Sequence, residues 1–322
     1  MGYLVVATDP HHSDFRGELE ELAVIGAEIR IAQCKTEEDV AEACGEADGI
    51  MVTFAPVGRR ALAGMPRCRV VVRSGVGYDT IDVAAATERK VMVANVPDYC
   101  ISEVADHAMT LMLCVWRKVA ELDAQVRAQG WTGMLRPVRR LEGQVLGIIG
   151  LGRIGRAVAA RGRGFGLRRI AYDPYAPADI FSALGVESVS LEVLARSADI
   201  VTLHTPLSHE TRGFMREEIL RQMKPSAILV NTSRGGVVAT DDLVRALREG
   251  WISGAGLDVF EEEPLPRDHP LRSLPHVLLT PHAAWYSVDS ELELRRRCAR
   301  TVVQALRGEV PATLLNPEVL TR

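Results

Sequence analysis

The 322-residue sequence has no apolar run approaching the ~20 residues a membrane-spanning helix needs. It also lacks a basic excess. With 38 Lys and Arg against 42 Asp and Glu, the net charge of -4 gives no footing for nucleic acid or an anionic membrane surface. The six cysteines (Cys34, Cys44, Cys68, Cys100, Cys114 and Cys298) are scattered, with no C-x-x-C pair. They read as buried thiols in a reducing compartment, because disulfide frameworks belong to short secreted chains. The adjacent His11 and His12 have no further ligands at metal-binding spacing, so no metal centre is expected. The opening MGYLVVATDP has no basic stretch before its apolar run and no small-residue cleavage site. It reads as a first strand and not a signal peptide, and a cytoplasmic location is expected.

Repeats and low-complexity tracts are absent too. In their place, short β-rich runs alternate with helical patterns, which predicts α/β architecture with parallel sheets, and the length suggests about two domains. The first third offers strands at 3–7, 28–32, 49–53, 70–73 and 91–96, with helices such as 15–25 and 37–44 between them. A long helix is expected over 102–126, with Ser102 as N-cap, Glu103 and Asp106 near its start and Gly130 beyond its end. Strand 144–149 restarts the alternation, followed by 169–172, 200–204, 227–231, 254–259 and 277–280. The tail 288–306 reads as an amphipathic helix whose Arg295-Arg296-Arg297 run, with Glu291 and Glu293 beside it, is expected to be a solvated face.

The run Gly150-Leu151-Gly152-Arg153-Ile154-Gly155 follows the apolar segment 145–149 and precedes a helical stretch, 156–164. That is the context a G-x-G-x-x-G dinucleotide loop requires. Gly150 permits the tight turn, Gly152 lets a pyrophosphate approach the backbone, and Gly155 lets helix and strand pack closely, while the helix start offers N–H groups to the phosphates. Asp173 stands 23 residues after Gly150, where a carboxylate binds the adenosine ribose and repels a 2′-phosphate. NAD(H) is therefore expected over NADP(H). Three late strands run into Thr232-Ser233-Arg234-Gly235-Gly236, Glu261-Glu262-Glu263-Pro264 and Pro281-His282-Ala283-Ala284-Trp285. Arg, Glu and His suit hydride transfer to a 2-keto acid. A guanidinium binds a carboxylate by two parallel bonds, a histidine gives a proton to the forming alkoxide, and a glutamate holds the imidazolium.

The segments RSGVGYDTID (73–82), NVPDYCISEVADHA (95–108), LGIIGLGRIG (146–155), YDPY (172–175), LHTPL (203–207), LVNTSRGG (229–236), GLDVFEEEPL (256–265) and TPHAAWYS (280–287) run in order along almost the whole chain. By these the chain resembles the D-isomer-specific 2-hydroxyacid dehydrogenases, most nearly their C-terminal-binding-protein branch. The resemblance implies two doubly wound, Rossmann-like and flavodoxin-like parallel-sheet domains: a cofactor domain, 100–285, inserted into a substrate domain of 1–99 and 286–322. It implies a homodimer paired around 116–143, and closure of the domains that shields the hydride from water. Arg234 would orient substrate and nicotinamide, His282 would be the acid/base and Glu263 its partner. The loop Ser74-Gly75-Val76-Gly77 would take the substrate carboxylate, with Arg73 reaching in and Trp285 beside the substrate. Val104, His204, Thr205, Pro206, Thr211, Thr232, Ser233, Asp258 and Ala284 match cofactor-contacting positions, as do Arg234 and His282. Formate dehydrogenases of the superfamily carry Gln where this chain has Glu263, so formate is disfavoured as substrate. Corepressor members carry extended termini, whereas only 36 residues follow Tyr286 here. The expected activity is reversible reduction of a 2-keto acid to a D-2-hydroxy acid. The alternative, from the corepressor-like TPHAAWYS, is an NADH-responsive binding module with little turnover. The sequence does not name the 2-keto acid, because loop shape around Phe54, 73–78 and Trp285 selects it.

Overall fold

The computed structural model describes residues 2–128, 130, 131 and 137–321, which fall into two compact units. Residues 1–100 with 287–322 form the first and residues 101–286 the second, so the second is inserted into the first. Each is a doubly wound α/β body on an entirely parallel sheet.

In the first unit the strands are β1 (Leu4–Ala7), β2 (Glu28–Ile31), β3 (Gly49–Val52), β4 (Val70–Arg73) and β5 (Met92–Ala94), in spatial order β2-β1-β3-β4-β5. Alternation along the strands sends Val6, Ile50, Val52, Val71 and Val93 into a core with Val40, Leu62 and Ala86 of the covering helices. Helix Val288–Leu306 packs on β3 and β4 and against helix Arg16–Leu22, bringing the tail back to the first unit. Of the three arginines expected on a solvated face, Arg296 and Arg297 are there, at 45% and 39% exposed, and Arg295 departs from it. Arg295 is nearly buried and donates twice, at 2.9 and 3.0 Å, to the buried Glu18. Arg296 pairs with Glu20, and Arg297 with Asp98 and Glu293. The sequence pattern could not show this, since Glu18 is 277 residues from Arg295.

In the second unit the strands are β6 (Val145–Ile149), β7 (Arg168–Tyr172), β8 (Glu187–Ser188), β9 (Ile200–Leu203), β10 (Ile228–Asn231), β11 (Gly254–Leu257) and β12 (Val277–Leu279), in order β12-β11-β10-β9-β6-β7-β8. Only the two-residue edge strand β8 had no sequence signal. One face packs Ile149, Ile170, Val201, Leu229 and Leu257 on helices Leu191–Ser197 and Thr240–Glu249. The other packs Leu146, Ile148, Ala171 and Val230 on helices Ile101–Trp116 and Arg153–Gly164. The helix expected over 102–126 is two helices, Ile101–Trp116 and Val119–Arg127. Lys118 lies between them in the left-handed region at φ 56°, where no glycine or proline announces a break. Ser102 is not the N-cap: it lies inside the first turn, and its hydroxyl accepts from Arg161 at 2.9 Å. No helix among the described residues is long and apolar enough to cross a membrane.

Removing one partner of a buried ion pair strands the other charge. Glu18→Leu should therefore cost about 3 kcal/mol. Adding Arg295→Met should recover most of that loss, both read as shifts of the guanidinium unfolding midpoint.

Candidate active site

The strand order of the second sheet reverses between β6 and β9, whose connections leave in opposite directions, which places its ligand crevice at the carboxyl ends of those strands. Gly150 leaves β6 at φ +91°, and a Cβ there would lie 2.7 Å from the His204 carbonyl oxygen. A Cβ on Gly155 would fall 2.1 Å from the Gly150 carbonyl oxygen, so only glycine lets the helix pack on the strand end. Gly152 differs, because a Cβ there would meet nothing within 4 Å. Its backbone faces open space, and as N-cap of helix Arg153–Gly164 it offers no side chain to the first N–H groups. Those groups remain for an anion. Leu151 is buried, whereas Gly152 and Arg153 are exposed and Ile154 is half-buried.

Asp173 follows β7 and faces this loop. One carboxylate oxygen accepts from the Leu151 N–H at 2.7 Å, and the other from the N–H groups of Tyr175 and Ala176 at 2.9 and 3.1 Å. The carboxylate thus holds the glycine loop and its own turn, a task that spacing alone did not reveal. Beyond β9, burial pushes the His204 imidazole down to about 4, so the ring is neutral, with Nε2 2.9 Å from the Thr202 hydroxyl. Thr211 ties its loop together by donating to the Pro206 carbonyl at 2.6 Å. Val104 is buried near the start of helix Ile101–Trp116.

The ends of β10, β11 and β12 bring Arg234, Glu263 and His282 together. Asn231 accepts from the Ser233 N–H at 3.0 Å and donates to the Arg234 carbonyl at 3.0 Å, shaping the turn that carries the arginine. Asp258, 1% exposed, brackets the next loop: it accepts from the Thr280 hydroxyl at 2.6 Å and from the Ala283 and Ala284 N–H groups at 2.9 Å each. The Asp258 backbone carbonyl takes the His282 N–H at 2.7 Å. These bonds hold His282 at φ 53°, in the left-handed region that residues other than glycine seldom adopt. His282 Nδ1 then meets Glu263 Oε2 at 2.7 Å, and the other oxygen of Glu263 accepts from the Phe260 N–H at 2.9 Å. Burial raises the Glu263 pKa, but the His282 hydrogen bond and charge, the Phe260 N–H and the Arg234 charge outweigh it and hold the carboxyl below its usual range. Behind this loop His107 Nε2 lies 3.0 Å from the Thr280 hydroxyl, and neither residue stood out in the sequence as part of this bracket.

Arg73 and the loop of Ser74, Gly75, Val76 and Gly77 belong to the first unit, at the end of β4. The Arg73 guanidinium donates to the Ser74 carbonyl at 2.8 Å and lies where a Cβ on Gly75, at φ +144°, would stand. Asn95 donates to the Val76 carbonyl at 2.6 Å and holds the loop from β5. Trp285 belongs to the second unit, its ring 5.5 Å from Tyr286 edge to face.

Residues 109–284 match the family model described as D-isomer specific 2-hydroxyacid dehydrogenase, NAD binding domain. The chain is 45% identical over 269 residues to a glyoxylate reductase of Korarchaeum cryptofilum, covering 82% of this chain and 81% of that one. The chain belongs to the D-isomer specific 2-hydroxyacid dehydrogenase family. It is an oxidoreductase acting on CH–OH groups. Two solved family structures superpose closely, each 28% identical with a TM-score of 0.88. A D-lactate dehydrogenase from Aquifex aeolicus, complexed with NAD and lactic acid, covers 97% of this chain and 98% of its own. An NADPH-dependent glyoxylate/hydroxypyruvate reductase from Sinorhizobium meliloti, in complex with NADP and malonate, covers 99% and 98%.

The second unit fits such a dinucleotide on its own geometry. Nδ1 of His204 and the hydroxyls of Thr205 and Thr232 are buried at the ends of β9 and β10 without a hydrogen-bond partner among the described residues. Buried polar atoms are normally paired, so a ligand's polar atoms would complete them.

The two helix-side glycines should separate under substitution. Gly155→Ala should destabilise the fold and abolish dinucleotide binding together. Gly152→Ala should leave the unfolding midpoint within about 0.5 kcal/mol of wild type. It should still weaken NADH binding at least ~10-fold in a fluorescence titration, because its methyl fills the space a pyrophosphate needs.

Proposed function

We propose that the protein is a D-2-hydroxyacid dehydrogenase that reversibly reduces a small 2-keto acid and prefers NADH. The observation that carries the reading is the 2.7 Å His282–Glu263 contact, with the Arg234 charge bearing on the same carboxylate. The dinucleotide, when bound, supplies the hydride. His282, as imidazolium, gives the proton to the carbonyl oxygen and takes it back in the oxidative direction. Glu263 fixes the ring through Nδ1, which leaves Nε2 as the atom that moves the proton. Arg234 binds the substrate carboxylate and polarises the carbonyl beside it, and Arg73 with Ser74, Gly75, Val76 and Gly77 also takes the carboxylate. Trp285 stands beside the substrate. Toward the cofactor, Gly150, Leu151, Gly152, Arg153, Ile154 and Gly155 receive the pyrophosphate, and Asp173 the adenosine ribose. Val104, His204, Thr205, Pro206, Thr211, Thr232, Ser233, Asp258 and Ala284 complete the binding surface.

Small 2-keto acids such as glyoxylate are the substrate class, by likeness to the glyoxylate reductases. We also place the protein in the cytoplasm, as a homodimer paired through 116–143, of which 129 and 132–136 lie outside the described residues. Placement in the C-terminal-binding-protein branch rests on TPHAAWYS and Arg73. The competing binding-module reading shares that segment but gives the His282–Glu263 pair no task.

His282→Ala should lower turnover at least ~100-fold on a panel of 2-keto acids while NADH affinity stays within about twofold. Wild-type kcat in that variant would overturn the assignment, and tight NADH binding by a wild type inert on every keto acid would favour the module. For cofactor choice, NADH should bind at least ~10-fold tighter than NADPH. Asp173→Asn, which keeps the side-chain shape and removes the charge, should narrow that gap through tighter NADPH binding. Equal affinities in the wild type would show that Asp173 does not discriminate.

A further inference from the structure

A histidine of the second unit that the chemistry above leaves unused touches the loop that performs it. His107 lies in the second turn of helix Ile101–Trp116, which packs on β10, β11 and β12. Val104, three residues earlier and buried, lies on the same face, so the side of the helix assigned to the cofactor also carries this imidazole. From there His107 Nε2 meets the Thr280 hydroxyl at 3.0 Å and stands 3.6 Å from Oδ1 of Asp258. Thr280 is the joint between helix and loop. It follows β12, its hydroxyl donates to Asp258 at 2.6 Å, and its carbonyl accepts from the His282 N–H at 3.1 Å.

The direction of these bonds is fixed. A hydroxyl has one proton to give, and Asp258 takes it. Toward His107 the Thr280 oxygen can only accept, so Nε2 carries a hydrogen. A neutral ring of that tautomer and a protonated ring both donate from Nε2, and the arrangement holds in either charge state. The result is a one-way chain from the His107 N–H through the Thr280 hydroxyl to the Asp258 carboxylate, in which each bond polarises the next. The same carboxylate accepts from the N–H groups of Ala283 and Ala284, and the Asp258 carbonyl from that of His282. The N–H groups of three consecutive residues thus end on Asp258. A hydroxyl proton turns between acceptors unless its lone pairs are engaged, and His107 engages one of them.

We infer that His107 is a positioning residue for the reaction: it keeps the Thr280 hydroxyl aimed at Asp258 and, through that bracket, sets the place of the His282 imidazole. The inference rests on His282 being the acid/base of a 2-keto acid reductase. His107 transfers no proton itself and acts through Thr280. A displacement of about 1 Å at a reacting group can cost ~100-fold in rate, so a loosened bracket is read in kcat before it is read in binding.

The test measures kcat and KM with NADH on a panel of 2-keto acids, together with NADH affinity and the unfolding midpoint. The proteins are wild type, His107→Leu, His107→Gln, Thr280→Val and the double variant His107→Leu/Thr280→Val. Leucine removes the donor and suits the helix, whereas glutamine returns an N–H near the place of Nε2. We expect His107→Leu to lower kcat about tenfold on the best keto acid, with its KM and the NADH affinity within about threefold of wild type. His107→Gln should regain most of that loss. With NADH deuterated at the transferred hydrogen, the isotope effect on kcat in His107→Leu should be at least that of wild type, because the chemical step is the one slowed. Adding His107→Leu to Thr280→Val should cost at most about twofold more, since both act through one hydroxyl. An unchanged kcat in His107→Leu, a loss that glutamine does not relieve, a smaller isotope effect, or additive losses in the double variant would overturn the inference and leave the reductase reading standing. Should His107→Leu fail to fold, near wild-type kcat in His107→Gln with a roughly tenfold loss in Thr280→Val supports the inference, and any other pair overturns it. No turnover of any keto acid by the wild type would sink the reductase reading and the inference with it.

Discussion

Every neighbouring strand pair in both sheets is parallel, so the chain must leave each strand at the same edge and return over a face of the sheet. That constraint gathers the chemistry. Gly150, Asp173, His204, Thr232, Asp258 and Thr280 all follow strands of the second sheet, and Thr8, Thr53 and Ser74 follow strands of the first. Side chains far apart in sequence become neighbours because the strands end together.

Gathering loops at one edge does not shape them, and here buried or half-buried carboxylates do so. Asp9 holds three consecutive N–H groups of the loop after β3. Asp258 holds two N–H groups and a hydroxyl after β12, and Asp173 holds the glycine loop after β6. In each case an acid at one strand end accepts from the loop that follows another, and its desolvation is offset by charge-assisted bonds. Lost brackets would leave the loops in place but free His282 from its left-handed backbone conformation and Phe54 from its exposed station. The carboxylates that shape the edge thus differ from the one carboxylate, Glu263, that serves the histidine.

Much of this was legible in the residues. The strand runs were visible because buried parallel strands are uninterrupted apolar stretches, and the glycine loop because its backbone demands are written as glycines. Glu263 and His282 could be read as partners by resemblance, 19 residues apart in the chain. What escaped has a common physical cause. The break at Lys118 is a backbone excursion without glycine or proline to announce it, and β8 is too short to carry a period. The Glu18–Arg295 pair, the Asp9 bracket and the approach of His107 to Thr280 join residues 44 to 277 positions apart. Such pairings depend on the completed sheet order, which local pattern does not encode.

Helix Val288–Leu306 covers β3 and β4 and supplies Arg295 to Glu18, yet it follows the whole inserted unit in the chain. In chain order, therefore, the five strands of the first unit are synthesised before the helix that covers β3 and β4. During that interval residues 101–286 are synthesised and hold all the contacts of their own core. The part of the molecule that begins first is completed last. The charged bonds from Arg295, Arg296 and Arg300 to Glu18, Glu20 and Glu21 join the last long helix to the first, so they can form only once residues 101–286 have been synthesised.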